Sequence, residues 1–337
     1  MAESYREGGR EGGLMIRVFE CFAGYGTATF ALKAEGIEHE LVGWSEILPA
    51  AIKCFKKNHC AESLLDDWYA PLNYGDITKI DWEKVPDFDL ITGGFPCQAF
   101  STAGKQLGEN DYRGQLGLEL TKALIAKKPK YFLFENVKGF LSGRFDKFGM
   151  YLIQSWKDAG YRVDYRVLNT ADYGVPQNRP RIWFAGVRQD LPLRFFKWPV
   201  PVELKLKLGD LLEENVDPKY FLEEKKVEKV YSNLGKLNRE SAFFTQPMNE
   251  GWVSKTVTCS GEKIVNVNGK LRHLTPKEFF RLQGFLKDEV NLEGISEGDQ
   301  YKLAGNGQSV NVVRLLMREL LKDEITGSVG VCEYGSR

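Results

Sequence analysis

The chain has 337 residues, and its 46 basic and 46 acidic residues cancel to a formal net charge of zero. That length predicts about two domains with room for a sizeable core. The balanced charge excludes a uniformly basic nucleic-acid binder, so any such face has to be a local patch. None of the six cysteines forms a Cys-x-x-Cys pair, and the histidines are only His39, His59 and His273. This composition argues against a metal site or a disulfide framework and for a reducing compartment. No apolar run reaches membrane-spanning length and no signal-peptide core precedes residue 15, so a cytoplasmic, membrane-free protein is expected. The Gly- and Glu-rich residues 1–14 and the stretch 326–337 are expected to be disordered tails.

In chain order, Ile16 to Phe22 reads as a strand, Ala23-Gly24-Tyr25-Gly26-Thr27 as a turn, and the stretch to Ala34 as a helix. Strand, Gly-x-Gly and helix let a nucleotide-like ligand approach the backbone and a helix N-terminus. The next strand, Glu40 to Ser45, runs into Glu46, about 20 residues past Gly26, where an acid can accept both ribose hydroxyls of an adenosine group. A solvated carboxylate at a helix start is the ordinary alternative. In Gly75-Asp76-Ile77, Asp76 can accept from an adenine amino group or simply close an Asx-turn.

The apolar run Phe88 to Thr92 predicts a buried parallel strand, broken by Gly93-Gly94-Phe95-Pro96-Cys97-Gln98. A free cysteine is usually a small buried hydrophobe. A core residue needs no such turn, however, and Cys97 is displayed where open α/β sheets bind their ligands. The polar, Gly-punctuated stretch Ser101 to Gly114, with Lys105 and Arg113, predicts a functional loop.

Gln115 to Ala126 reads as a helix and Pro129 to Phe134 as a buried strand that ends in Glu135-Asn136-Val137. An amphipathic helix, Phe145 to Ala159, and a strand, Tyr161 to Leu168, follow. Gln177-Asn178-Arg179-Pro180-Arg181 then opens the strand Ile182 to Val187, and its two arginines suggest an anion or carbonyl partner. This alternation predicts a doubly wound, mostly parallel α/β sheet.

From about Pro192 the rhythm changes to prolines, a charged helix at 223–229 and short β-like pieces, which predicts a second, smaller, β-rich domain over 192–271. His273 to Gly284 reads as a helix with Thr275 as N-cap and Pro276 in its first position. Gly305-Asn306-Gly307-Gln308-Ser309 reads as a tight turn before a last helix, Val310 to Leu321. The expected domains are therefore a catalytic unit, 15–191 completed by 305–325, the 192–271 domain, and a hinge region at 272–304.

Set in order, Phe22-Ala-Gly-Tyr-Gly26, Glu46, Gly75-Asp-Ile77, Pro96-Cys-Gln98, Glu135-Asn-Val137, Gln177-x-Arg-x-Arg181, the 273–284 helix and Gly305-Asn306 resemble the motif series of the cytosine-5 DNA methyltransferases. Each pattern alone is common, but their shared order is not. The resemblance covers about 15–191 and 272–322, and 192–271 falls where that family carries its variable target-recognition region. Three positions depart from the family pattern: Glu20 stands where Asp is usual, Thr27 replaces a third Gly, and Gly305-Asn306-Gly307-Gln308 stands where Gly-Asn-Ser-Val is more usual.

The resemblance implies a Rossmann-like fold, S-adenosylmethionine as cofactor, and methyl transfer to carbon 5 of a cytosine flipped out of double-stranded DNA. Cys97 would be the nucleophile on carbon 6, Glu135 would act at ring N3, Arg181 would stabilise charge on O2, and Arg179 would brace a loop or phosphate. Phe22, Gly24, Gly26, Glu46, Asp76, Ile77, Pro96, Leu116 and Asn306 match the cofactor pocket. Gln98, Ser101, Lys105, Arg113 and Thr256 are placed near DNA. Thr245, Gln246, Asn249, Lys255, Thr258 and Lys263 are further candidates for base or phosphate contact.

Related tRNA-methylating enzymes carry Pro-Pro-Cys-Gln and a Cys-Phe-Thr signature. This chain has Phe95-Pro96-Cys97-Gln98 and no Cys-Phe-Thr, which favours DNA. A catalytically silent DNA-binding relative would be free to lose Cys97, Glu135 or Arg181, and all three are present. A monomer is expected, with a cognate restriction endonuclease, where one exists, acting separately.

Overall fold

A computed structural model describes residues 15–60, 72–96, 116–142, 146–192, 196–234 and 246–326. Cys97, Gln98, Ser101, Lys105, Arg113 and Thr245 lie outside the described residues. The first half alternates β1 (Ile16–Cys21), α1 (Thr27–Ala34), β2 (His39–Ser45), α2 (Pro49–His59), β3 (Leu72–Asn73), β4 (Leu90–Gly94), α3 (Leu116–Lys127), β5 (Tyr131–Val137), α4 (Asp146–Asp158) and β6 (Tyr161–Asn169). Next come β7 (Gln177–Asn178) and β8 (Pro180–Arg188).

One seven-stranded sheet has the order β3-β2-β1-β4-β5-β8-β6. Pairings from β3 through β5 are parallel, and β8 runs antiparallel to both its neighbours, β5 and β6. The strand order reverses between β1 and β4, which is where doubly wound sheets open a crevice at their carboxyl ends.

Period-two alternation sorts each central strand onto two apolar layers. Ile16 and Val18 of β1, Tyr131 and Leu133 of β5, and Trp183 and Ala185 of β8 join the core beneath α1. Phe19, Phe132, Phe134, Ile182 and Phe184 join the opposite core with α3 and α4. There Trp156 of α4 packs against Phe132, Phe134 and Phe184 at ring-centroid distances of 5.3–5.5 Å. Runs buried on both faces explain why the strands read as continuous apolar stretches.

In the 192–271 region the described residues form α5 (Glu224–Leu234), β9 (Met248–Asn249), β10 (Ser254–Lys255), β11 (Ile264–Val267) and the start of β12 (Lys270–His273), besides single 3-10 turns. β9, β11 and β12 make a three-stranded sheet, and β10 pairs with β7. Leu208, Leu211, Met248, Val257 and Val265 are buried in the same cluster as the α1 face of the main sheet. α5 has no buried residue.

The stretch expected to be a hinge holds α6 (Pro276–Leu282) and most of α7 (Glu297–Asn306), and α8 (Val310–Leu320) follows. α6 begins as expected. Thr275 is its N-cap, Pro276 follows, and Glu278 closes a capping box while pairing with buried Arg272 at 2.6 Å. The 305–309 stretch differs from the turn expected, because Gly305 and Asn306 are the last residues of α7 and the chain leaves the helix only at Gly307.

Candidate active site

A cavity of about 840 Å³ opens at the carboxyl ends of β1, β2, β4 and β5. Its first wall is the turn after β1, where Phe22, Gly24 and Gly26 all have positive φ (52°, 57° and 81°). Glycine adopts this region freely, whereas Phe22 does so at a cost and therefore marks a constrained site. The N–H of Gly24 donates to Glu46 Oε2 (3.0 Å), and Glu46 Oε1 accepts from the backbone of Ile47 and Leu48 (2.8 and 2.9 Å). Glu46 thus closes its own turn and ties it to the first one. A carboxylate has about four acceptor directions, so capacity remains toward the cavity.

Asn73, which the motifs did not single out, braces Glu46 by accepting from its N–H and donating to its carbonyl (3.1 and 3.0 Å). Asp76 Oδ1 is used locally, accepting from the backbone and hydroxyl of Thr78. Asp76 is therefore a turn cap at the cavity edge, and its other oxygen lies 3.8 Å from Lys79 Nζ. Ile47 and Leu48, 63% and 53% exposed, line the same edge and can cover a flat ring.

Phe22, Gly24, Glu46, Asp76, Ile77, Pro96, Leu116 and Asn306 line the cavity, as do Glu135, Arg179 and Arg181. Gly26 is the exception among the positions expected to meet a cofactor. It packs away from the cavity, and a Cβ there would collide with the rings of His59 and Phe55. Its role is close packing, with its own carbonyl starting α1.

Glu20 lies at the end of β1, and its carboxylate accepts from the N–H of Thr29 at 2.8 Å and from the Thr29 hydroxyl. α1 has no side-chain cap of its own, and Glu20 supplies an acceptor from the neighbouring strand. Burial pushes this carboxyl up to about 7, opposed by the Thr29 bonds.

Glu135 and Arg181 meet because β5 and β8 are in antiparallel register, with Glu135 opposite Trp183 and Val137 opposite Arg181. The pair is thus diagonal on one face, and Arg181 Nε lies 3.0 Å from Glu135 Oε1. Burial raises the Glu135 pKa, while Arg181, then Arg179, then a side-chain hydrogen bond from Gln308 oppose the rise. Arg179 is itself buried, and its guanidinium donates to the carbonyls of Val257, Gly305 and Gly307 (3.2, 3.1 and 2.6 Å). Burial holds it down to about 9, with the Arg181 charge adding to the effect. Arg179 is the loop brace, tying the 257 segment to the end of α7. Gln177 acts with it, accepting from Val257 N–H and donating to Leu282 carbonyl (3.0 and 2.6 Å).

Two residues to which the sequence assigned no role complete the wall. Tyr25, the middle of Gly-x-Gly, is buried and donates its hydroxyl to the Gln308 carbonyl. Gln308 lines the cavity beside Glu135. Such links join positions almost the whole chain apart, so no local pattern reveals them.

Pro96 stands at the cavity edge and the preceding backbone is held by Asn136 Nδ2 donating to the Phe95 carbonyl (3.3 Å). Cys97 is the next residue in the chain. Of the proposed recognition residues, Thr256 donates to the Asn178 carbonyl and Lys255 to the Gln246 carbonyl (2.5 and 2.7 Å). Asn249 and Thr258 are exposed, and Gln246 and Lys263 are half-buried.

The family model for C-5 cytosine-specific DNA methylase matches residues 16–322. The orphan methyltransferase M.Rho11sI of Bacillus phage rho11s is 35% identical over 304 residues, covering 80% of this chain and 59% of that protein. The type II methyltransferase M.NgoBI of Neisseria gonorrhoeae is 34% identical over 278 residues, covering 77% of this chain and 86% of that one. The chain therefore spans about three-fifths of the phage relative and most of the Neisseria one. The crystal structure of the S. pombe Dnmt2 methyltransferase superposes with a TM-score of 0.71 at 22% identity, covering 91% of this chain and 98% of that one, which is a likeness of fold. With residues from every motif but the 273–284 helix lining one cavity and the family model matched nearly end to end, the chain belongs to the C-5 cytosine-specific DNA methylase family.

Proposed function

We propose that the chain transfers a methyl group from S-adenosylmethionine to carbon 5 of cytosine in double-stranded DNA. The observation that carries this reading is the opening of the Glu135–Arg181 pair into the same cavity as the Phe22–Gly24 turn and Glu46. Acid chemistry and an adenosine-sized recess thus face each other. The cavity volume suits a cofactor of that size. The acceptor capacity that remains on Glu46 and Asp76 suits ribose and adenine donors, and the exposed Ile47 and Leu48 suit the ring face. When bound, S-adenosylmethionine supplies an electrophilic methyl group.

The chain's own residues make carbon 5 nucleophilic. The Cys97 thiolate adds to carbon 6, forming an S–C bond and moving the ring π pair to carbon 5. Glu135, kept proton-retentive by burial, gives a hydrogen bond or proton to N3 and takes up the charge that addition places on the ring. Arg181 holds Glu135 and presents a cation to O2. After carbon 5 gains the methyl group it loses its proton to a base, and the returning pair expels the Cys97 thiolate. Arg179 acts earlier in the hierarchy, fixing the wall behind these groups.

The cytosine must leave the duplex to reach this recess. In this reading residues 97–115 and 192–271 contact the DNA, with Gln98, Ser101, Lys105, Arg113 and Thr256 among the contacts. The test is transfer of labelled methyl from S-adenosylmethionine to unmethylated genomic DNA of mixed sequence. Wild-type protein should transfer label, and Cys97→Ala should lose more than nine-tenths of it while still folding. Retention of a tenth or more removes Cys97 from the mechanism.

A further inference from the structure

Gln308 occupies a place where the motif pattern carries an apolar residue, yet the fold holds it with unusual care. Gly307 has to lack a side chain, because a Cβ there would collide with the ring of Tyr25. The Gly307 carbonyl accepts from Arg179 (2.6 Å) and Gln283 (3.1 Å), and the Gln308 carbonyl accepts from Tyr25. On its other side, Ser309 donates to Gln283 Oε1 (2.9 Å) and exchanges a 2.8 Å hydrogen bond with Thr170. The residues on both sides of Gln308 are therefore fixed by buried partners, Gly307 through its carbonyl and Ser309 through its hydroxyl. The side chain itself reaches the carboxyl end of β4. A Cβ on Gly94 would lie 2.9 Å from Glu135 Oε2 and 3.1 Å from Gln308 Nε2, so the two polar atoms converge over a residue with no side chain.

We infer that Gln308 is a positioning residue for Glu135: its amide engages Oε2 while Arg181 engages Oε1, so that the carboxyl is held by a separate donor on each oxygen. This rests on the methyl-transfer reading. A carboxyl gripped only by Arg181 can still turn about its terminal torsion, which is broad and soft. With one lone pair of Oε2 taken by an amide donor, the other is left to carry the proton in a set direction, toward the cavity. An amide donor also favours the ionised form and so limits the rise that burial causes. Among the described residues, the charged and titratable groups facing Glu135 are Arg181 of β8, Arg179 just before it and Tyr25 from the first turn. Tyr25 stays neutral, because burial pushes its phenol far up.

Gln308→Met keeps the length of the side chain and removes the donor; Gln308→Val is the second variant. In full-length protein carrying δ-13C glutamate, the Glu135 signal is assigned by its loss in Glu135→Gln and titrated between pH 5 and 8.5. Both Gln308 variants should raise its midpoint by about one pH unit. In methyl transfer, the alkaline fall in rate should move upward in parallel, and the rate at the optimum should drop about fivefold for want of orientation. The Kd for S-adenosylmethionine should stay within about twofold, which also shows that the variants fold.

An unmoved carbon-13 midpoint overturns the inference. So does a moved midpoint with an unmoved pH limb and rate, which reduces Gln308 to a bystander. If wild-type protein transfers no methyl group at all, the function reading falls, and the titration alone still decides whether Gln308 acts on Glu135.

Discussion

The cavity wall and the 196–271 region use polar residues in opposite ways. In the wall, polar side chains are buried and spent on backbone groups from distant segments: Glu20 on Thr29, Arg179 on Val257, Gly305 and Gly307, and Tyr25 on Gln308. In the second region α5 buries nothing, strands run two to four residues, and Asn249 and Thr258 face outward. Leu208, Leu211, Met248, Val257 and Val265, buried within it, rest on the main sheet's core. A wall built this way tolerates little change, because each deletion leaves a buried partner unsatisfied. A surface anchored by a few apolar contacts is free to vary, which is the division expected between shared chemistry and variable recognition.

The largest break in that comparison is expected at Arg179. Arg179→Met should lower unfolding free energy by about 3 kcal/mol, because three carbonyls lose a donor and, of the three, Gly307 keeps a second one in Gln283. Urea denaturation reads this directly, and an unchanged midpoint would show that the brace contributes nothing. An equivalent change on the exposed face of α5, Lys229→Met, should stay within about 0.5 kcal/mol.

Glu20 sharpens the comparison through pH. Its folded pKa, about 7, stands above the ordinary 4.5, so its contribution is fully present below pH 4.5 and is lost as pH rises through 7. Glu20→Gln keeps an acceptor for Thr29 and removes the ionisation. The variant should therefore gain about 2–3 kcal/mol relative to wild type between pH 4.5 and pH 8. Parallel pH–stability curves for the two proteins would contradict a buried, proton-retentive Glu20.

A smaller effect is expected at Glu46. Glu46→Ala should weaken S-adenosylmethionine binding by about 1–3 kcal/mol, on the scale of charge-assisted hydrogen bonds. Part of that loss comes from freeing the Gly24 and Leu48 amides. Calorimetry showing wild-type affinity would remove Glu46 from the cofactor site.

Least disturbance to the chemistry is expected from exchanging 192–271 for the corresponding segment of a relative with a known target. Methylation should move to the new site with cofactor affinity nearly unchanged. A folded, active chimera that still modifies the old site would place recognition elsewhere.

Much of the frame was legible in the chain itself. The apolar runs of β1, β5 and β8 mark strands buried on both faces, and Thr275-Pro276 with Glu278 marks the start of α6 by local capping chemistry. Glu135 and Arg181 were legible as strand-end residues, but their contact depends on an antiparallel register that neither segment encodes alone. Gly26 fits a ligand-binding motif, yet the space it leaves is filled by His59, some thirty residues on. Tyr25 and Asn73 carried no signal of their own and Gln308 stood out only as a departure from the motif pattern, because their value lies in partners that only the fold brings near. The continuation of α7 through Asn306 was hidden by glycines at 305 and 307, residues that normally end helices.

The methylated base itself reports the chemistry most directly. Unmethylated DNA incubated with the protein and S-adenosylmethionine, digested to nucleosides and resolved by mass spectrometry, should yield 5-methyldeoxycytidine, and none with Cys97→Ala. Formation of N4-methyldeoxycytidine or N6-methyldeoxyadenosine instead, or of 5-methyldeoxycytidine by the Cys97→Ala protein, would contradict the account.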